Sequence, residues 1–104
     1  MSDNIFSISW LLPVRENPNV DDSVIFSQAE AVLERLLTVE TFTEDLSDST
    51  IAVDLARMTV EIEMDVRAAS ESEATQSGLK FLRDAVSAAE CQEVFRLPQL
   101  LSLR

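Results

Sequence analysis

Hydrophobic and polar residues alternate strictly along one stretch of the chain, from Met58 to Val66. Every even-numbered position in this stretch is apolar and every odd-numbered position is polar. This period-two pattern is typical of a half-buried β-strand. We therefore predict that the even-numbered face lies in the core. The odd-numbered face is predicted to form an acidic surface that carries Glu61, Glu63 and Asp65.

The first fourteen residues contain a second alternating stretch, which predicts a strand over residues 5–14. Ser7 and Ser9 occupy its polar face, and its apolar face carries Phe6, Ile8, Trp10, Leu12 and Val14. A last short strand is predicted over residues 93–97, where Pro98 stops it.

The apolar residues change parity between residues 51 and 58, because Ile51, Val53 and Leu55 are odd-numbered. A single straight strand cannot change faces in this way. A tight turn near residues 55–57 would make the two stretches a β-hairpin, and a β-bulge there is the alternative. We favour the hairpin.

Two other segments have the spacing of amphipathic helices. The first is predicted over about residues 23–38, with Asp21 or Asp22 as its N-cap. Its apolar stripe contains Ile25, Ala29, Val32, Leu33 and Leu36, and it is widened by Phe26 and Leu37. The polar segment 40–50 that follows is predicted to be a loop, which Phe42 and Leu46 anchor to the core. A short strand over residues 41–43 is the alternative.

The second helix is predicted from Ser70 to about Glu90. Ser70 and Glu73 have the spacing of a capping box, in which a serine side chain and a glutamate three residues later satisfy backbone N–H groups. Gly78 lies inside this helix, where glycine costs roughly 1 kcal/mol relative to alanine. We therefore predict a close approach of the helix to the first helix or to the sheet at Gly78.

The predicted order of elements is strand, helix, strand, strand, helix, strand. This is the order of the ferredoxin-like α+β sandwich, with a four-stranded antiparallel sheet and two helices on one face. Its first and third strands lie side by side in the centre of the sheet. A chain of 104 residues is expected to form one such domain, here residues 1–97, followed by an apolar C-terminal tail at residues 98–104.

The tail region has an unusual number of leucines for a chain end. These residues either fold back over an open edge of the sandwich or dock onto another chain, which would give a homodimer or a hetero-complex. The leucines concerned are Leu97, Leu100, Leu101 and Leu103.

Residues 51–90 carry several features found together in one group of proteins. Val53-Asp54-Leu55 leads by a short turn into Thr59-Val60-Glu61-Ile62, and a strand that ends at Ala68 precedes Ser72-Glu73-Ala74. The segment Leu82-Arg83-Asp84-Ala85-Val86 with Ala88-Ala89 follows. In these features the chain resembles small uncharacterised ferredoxin-like α/β proteins of actinobacteria and their phages. The resemblance implies the same fold and supplies no catalytic residues.

Charge and composition limit the classes of function. The chain has 19 acidic and 8 basic residues, which give a formal charge of −11. Such a surface repels phosphates and anionic lipids, so we expect neither direct nucleic-acid binding nor membrane association. Glycine-rich phosphate loops are excluded by the single glycine, Gly78. The N-terminus does not resemble a signal peptide, and we expect a cytoplasmic protein.

The sequence offers little catalytic chemistry. It contains no histidine and one cysteine, Cys91, which rules out cysteine-cluster zinc sites and the commonest general base. Cys91 follows a predicted helix C-terminus, where a thiolate is disfavoured, and we expect a small buried residue. Trp10 lies on the core face of its strand. We predict no enzyme activity, no cofactor and no metal site.

The acidic strand face remains as the candidate site. Glu61, Glu63 and Asp65 diverge along one strand instead of converging as cation ligands do. They are therefore expected to be a solvated surface or a platform that binds a basic partner, with Ser7 and Ser9 as neighbours on the same face. Acids at residues 44, 45, 48 and 54 are expected to be a solvated loop cluster.

Two functions are compatible with these residues and this charge. The favoured one is a non-enzymatic acidic module that binds another protein with a basic surface. It would act as an inhibitor or decoy of a basic or nucleic-acid-binding partner. The alternative is a small-ligand-binding or enzyme module that oligomerisation completes, with the exposed sheet as one wall of a pocket.

Overall fold

Six elements follow one another in the predicted order in the computed structural model, which describes residues 3–16 and 20–104. They are β1 (Asn4–Pro13), α1 (Asp22–Glu40), β2 (Leu46–Asp54), β3 (Thr59–Ala68), α2 (Glu71–Ala88) and β4 (Gln99–Leu103). The strands form one antiparallel sheet in the order β2-β3-β1-β4. The predicted ferredoxin-like α+β fold is confirmed.

The two strands with the clearest alternation form the centre of the sheet. β1 and β3 pair without interruption from Asn4 opposite Ala68 to Pro13 opposite Thr59. Because side chains alternate between the two faces of a strand, this register brings the apolar positions of both strands to the same face. Both helices pack on that face, and the buried apolar residues of β1, β3, α1 and α2 form one core.

The even-numbered face of β3 is core, as predicted, at Val60, Ile62, Met64 and Val66. The prediction is wrong for Met58, which is 39% exposed and precedes the strand. Met58 has φ 53°, a left-handed conformation that takes the residue out of the alternation.

Residues 55–58 form the turn of a β-hairpin, and Asp54 pairs with Thr59 at its base. The Asp54 carboxylate accepts a hydrogen bond from the Arg57 N–H at 3.2 Å, and it lies 3.8 Å from the Arg57 guanidinium. An aspartate that binds the turn backbone thus replaces the usual Asn-Gly chemistry. The predicted hairpin is confirmed.

Helix α1 begins where an aspartate caps it. The Asp21 carboxylate accepts hydrogen bonds from the Ser23 hydroxyl at 2.7 Å and the Val24 N–H at 3.0 Å, and these bonds lower the pKa of Asp21. The prediction that Phe26 and Leu37 widen the buried apolar stripe is wrong, because both side chains are exposed. Each directly follows a buried residue, and one residue turns about 100° around a helix, away from the core.

The segment 40–50 is only partly a loop. Residues 46–50 form the first half of β2, so the prediction of a loop there is wrong, and residues 41–45 connect α1 to this strand. Leu46 is buried as predicted, whereas Phe42 is 83% exposed and does not anchor the segment. A register shift between Ser47 and Thr50 interrupts the alternation of this edge strand, which explains why the sequence pattern does not reveal it.

The fourth strand is formed by the predicted tail. Residues 93–97 are not a strand; Phe95 makes a single bridge to Val14, and residues 92–94 form a turn. The chain becomes extended after Pro98, where β4 pairs with β1 and forms an edge of the sheet. Beyond the end of β4, the backbone N–H and C=O groups of Arg104 both bond to Ser7.

Helix α2 lies close to the sheet at Gly78. The Ser70 side chain caps the helix by accepting a hydrogen bond from the Glu73 N–H at 3.2 Å. A Cβ atom on Gly78 would lie 3.2 Å from Ile8 Cδ1, 3.3 Å from Trp10 Cζ2 and 3.5 Å from Met64 Sδ. The predicted close approach is confirmed, and it is to the sheet.

We predict that Gly78→Val lowers the free energy of unfolding by about 1–3 kcal/mol, because the larger side chain overpacks the interface between α2 and the central strands. Gln76→Val, at an exposed position of the same helix, is the matched control and should cost less than about 1 kcal/mol. Urea unfolding measures both. Equal losses in the two variants would contradict the close approach.

We predict that Leu103→Ala lowers the free energy of unfolding by about 1–3 kcal/mol, because Leu103 packs against the core opposite Ile8. Leu101→Ala, in the same strand, removes a side chain that is about half exposed and should cost less than about 1 kcal/mol. Urea unfolding again compares the variants. A neutral Leu103→Ala would show that β4 contributes nothing to the folded sheet.

Candidate functional site: the open face of the sheet

Both described helices pack on the same side of the sheet, and we call the opposite side the open face. The odd-numbered residues of β1 and β3 point to it, as the alternation predicted. The register places Ser7 opposite Asp65 and Ser9 opposite Glu63. The predicted neighbourhood of the two serines and the acidic strand face is therefore confirmed. Whether these residues bind a partner remains a prediction.

A shallow groove of about 340 Å³ runs over one half of the open face. Ser7 and Ser9 of β1 line this groove, and Ser9 is only 7% exposed. The Ser7 hydroxyl donates a hydrogen bond to Asp65 Oδ1 at 2.8 Å. The polar and charged residues that line the groove are Ser7, Ser9, Asp48, Thr50, Glu63, Asp65 and Arg104.

The charge in this groove is mainly negative. Asp48, Glu63 and Asp65 line it together with one basic residue, Arg104. Within the described ranges, the ion pairs are Arg57 with Asp54 and Arg67 with Glu44, so these two arginines are engaged at other carboxylates. No cluster of acidic and cysteine residues suited to a metal ion occurs among the residues that the structure describes.

The other half of the open face is more apolar. Glu61 lies there beside Leu11 and Ala52 of the neighbouring strands in a second depression of about 360 Å³. Leu101 of β4 and the ion pair of Asp54 with Arg57 also line this depression. Glu61 is therefore separated from the groove that contains Glu63 and Asp65. The three acids that the sequence grouped together belong to two differently lined regions of one surface.

The four leucines near the C-terminus have two different environments. Leu103 packs against the core, which is the folded-back arrangement. Leu97 is 72% exposed, and Leu100 and Leu101 are about half exposed. The backbone thus covers the edge of β1, while three leucine side chains stay accessible for contact with another molecule.

Several groove residues were not identified from the sequence. The sequence predicts a loop at Asp48 and Thr50, because the register shift in β2 hides its alternation. It predicts a tail at Arg104, whereas the structure pairs the Arg104 backbone with Ser7. The loop acids predicted as one cluster are in fact divided: Glu44 lies 3.3 Å from Arg67, Asp54 stabilises the hairpin turn, and Asp48 reaches the groove.

Cys91 is fully buried, in agreement with its predicted role as a small core residue. Its thiol lies against the side-chain oxygen of Gln28 and 3.3 Å from the Ala89 carbonyl oxygen. Burial raises the pKa of the Cys91 thiol, because removal from water disfavours the charged thiolate.

We predict that a thiol reagent labels Cys91 in the folded protein at least about 100-fold more slowly than in the unfolded chain, because labelling requires the core to open. The variant Ser72→Cys, at an exposed position of α2, supplies a fast-reacting control in the same fold. Native Cys91 that reacts as fast as the thiol of S72C would contradict its burial.

The raised pKa also predicts how stability depends on pH. As pH rises above the ordinary thiol pKa of 9.0, the Cys91 thiol deprotonates first in the unfolded chain, so the free energy of unfolding should fall.

Comparison of the chain with family models, with curated proteins and with solved structures finds no match. In the part of the chain that the structure describes, neither helix is long and apolar enough to cross a bilayer. No relative therefore assigns a role to the residues of the open face.

Proposed function

We propose that this chain is a non-enzymatic protein-interaction module whose open face binds a partner with a basic surface. One observation carries the proposal. Asp48 of β2 and Glu63 and Asp65 of β3 line one groove on the sheet face opposite the two helices. Carboxylates brought together from adjacent strands form a local negative surface that attracts lysine and arginine side chains.

The hydrogen bonding of the groove suits such a partner. Ser7 donates to one oxygen of Asp65, which positions the carboxylate toward the groove. Carboxylates on alternate residues of a strand repeat at about 6–7 Å. An extended basic segment has the same repeat, so its alternate side chains match Glu63 and Asp65. Because exposed ion pairs contribute only about 0.2–1 kcal/mol each, several must form together.

The apolar half of the open face adds contacts that do not depend on charge. Leu11 and Leu101 lie beside Glu61 at that end. Burying leucine surface contributes about 25 cal/mol per Å². A partner that covers both halves would gain affinity from the leucines and orientation from the carboxylates.

A nucleic-acid-binding protein has the matching chemistry, because its binding surface is basic and accommodates phosphates. Carboxylates on the open face would take the place of those phosphates. The excess of 19 acidic over 8 basic residues would attract such a surface from a distance. The module would then act as an inhibitor or decoy that competes with nucleic acid.

A second candidate function is favoured by the depression at Leu11 and Leu101. A second copy placed over this apolar end would enclose it, giving a small-ligand-binding module completed by oligomerisation. Salt separates the two functions, since apolar burial responds little to ionic strength and charge pairing is screened by it.

The test uses a lysine- and arginine-rich peptide of about ten residues, the chain in solution, and calorimetry at low and moderate salt. Binding should weaken at least about tenfold when the acids of the open face are neutralised, because each lost ion pair contributes. The neutralised variant combines Asp48→Asn, Glu63→Gln and Asp65→Asn, the three acids that line the groove. Moderate salt should weaken binding to the unmodified chain for the same reason.

A control with the same change in net charge identifies the surface. It combines Glu30→Gln, Glu34→Gln and Glu93→Gln, which are exposed positions outside the open face. This control should change binding by less than about threefold, since distant charges are screened at about 10 Å. Equal weakening by both variants would contradict the open face as the site. Salt-independent self-association that buries Leu101 would favour the second candidate.

A further inference from the structure

A basic pocket lies apart from the open face on this acidic chain. Arg15, Arg83 and Arg96 line a depression of about 250 Å³. They are three of only eight basic residues in the sequence. They come from distant parts of the chain: the segment just after β1, the last turns of α2 and the segment before β4. Among the described residues that line this pocket, none is acidic.

Backbone hydrogen bonds hold two of these segments side by side. The Arg15 N–H donates to the Val94 carbonyl oxygen at 2.8 Å, and the Arg96 N–H donates to the Pro13 carbonyl oxygen at 2.8 Å. The Arg15 side chain is also positioned, because its Nε donates to the carbonyl oxygens of Phe95 at 3.1 Å and Gln92 at 3.3 Å. The pocket is thus built on fixed backbone.

Among the described residues, no carboxylate lies within 4.0 Å of the charged groups of the three pocket arginines. The ion pairs of the described residues involve Arg57 and Arg67 and none of the three pocket arginines. The C-terminal end of α2 contributes a partial negative charge of roughly one half, which is small beside three guanidinium groups. Guanidinium groups bind phosphate and carboxylate oxygens in a bidentate geometry.

The remaining lining of the pocket is largely apolar. Val86, Phe95, Leu97 and Pro98 contribute to it. Phe95 is buried, whereas the side chain of Leu97 is 72% exposed and is free to contact a ligand. A ligand that combines an anionic group with an apolar group would satisfy both parts of the lining.

We propose that this pocket binds a small ligand in which a phosphate or carboxylate group is attached to an apolar body. The anionic group contacts Arg83 and Arg96, beside Arg15, and the apolar body covers Leu97. The volume of about 250 Å³ accommodates only a small molecule. A polyanion such as nucleic acid or an acidic protein is disfavoured, because it would meet the rest of a surface with a net charge of −11.

The experiment follows amide chemical shifts in two-dimensional NMR spectra of the full chain. The probes are phenyl phosphate, phenylacetate, inorganic phosphate and uncharged benzyl alcohol. Phenyl phosphate or phenylacetate should produce saturable shifts at Val86, Ser87 and Leu97, and the stronger of the two identifies the anionic group. Inorganic phosphate and benzyl alcohol should each bind at least about tenfold more weakly. Inorganic phosphate lacks the apolar group, and benzyl alcohol lacks the anionic group.

Two variants test the arginines, Arg83→Gln and Arg96→Gln. Each should weaken binding of the preferred probe about tenfold or more, since each removes a charged hydrogen-bond donor. Arg15 is left intact because it bonds to the backbone of the pocket. Arg35→Gln, at an exposed position of α1, makes the same change in charge and should alter binding less than about twofold. Unfolding midpoints should be similar in all three variants.

Three results would overturn the proposal. One is the absence of saturable shifts at the pocket with either anionic aromatic probe at millimolar concentrations. Another is equal weakening by R35Q and the pocket variants, which would show that net charge alone drives binding. The third is equal affinity for inorganic phosphate and phenyl phosphate, which would show that Leu97 and its apolar neighbours take no part. None of these results depends on the open face, so failure here leaves the proposed function untouched.

Discussion

The register between β1 and β3 fixes what lies on each face of the sheet. The two central strands pair over ten consecutive positions without a shift, from Asn4 opposite Ala68 to Pro13 opposite Thr59. A slip of one residue would exchange the faces of a strand. The same register that buries Trp10 opposite Ile62 therefore places Ser9 opposite Glu63 on the other face. Core and candidate binding surface are two consequences of one alignment.

The two helices cover only one face of the sheet. Both pack against the apolar side, where Gly78 allows α2 to lie directly on Ile8 and Trp10. A residue with a side chain at that position would hold the helix farther from the sheet. Because both helices occupy this side, the opposite side stays open. Its groove and its leucine-lined depression are available to a partner as a consequence of the layer arrangement.

The distribution of charge gives the molecule two surfaces of opposite character. Carboxylates line the groove on the open face, while Arg15, Arg83 and Arg96 converge at the pocket between α2 and the chain leading to β4. The net charge of −11 is a sum over the whole chain and does not describe the local charge at this pocket. Acids farther away than about 10 Å are largely screened from the three arginines at ordinary ionic strength. We therefore propose ligands of opposite charge for the two sites.

Local pattern was sufficient for the elements that are buried on one side along their whole length. Alternation predicts β1 and β3, and periodicity predicts α1 and α2. The sequence also predicts Ser70 as one helix cap and leaves Asp21 and Asp22 as alternatives for the other. The edge strands are harder to predict, because they bury fewer side chains and contain irregular pairing. A register shift hides the first half of β2, and β4 lies where the sequence predicts an apolar tail.

Alternation along the chain is enough to predict which residues of the central strands face the core, and hence that Glu61, Glu63, Asp65, Ser7 and Ser9 share a surface. The folded arrangement is needed to show that Asp48 and Arg104 join that surface, and that Arg83 lines the same pocket as Arg15 and Arg96. The difference lies in the range of the interactions. Side-chain alternation is a property of neighbouring residues, whereas both pockets depend on contacts between segments that are far apart in the chain.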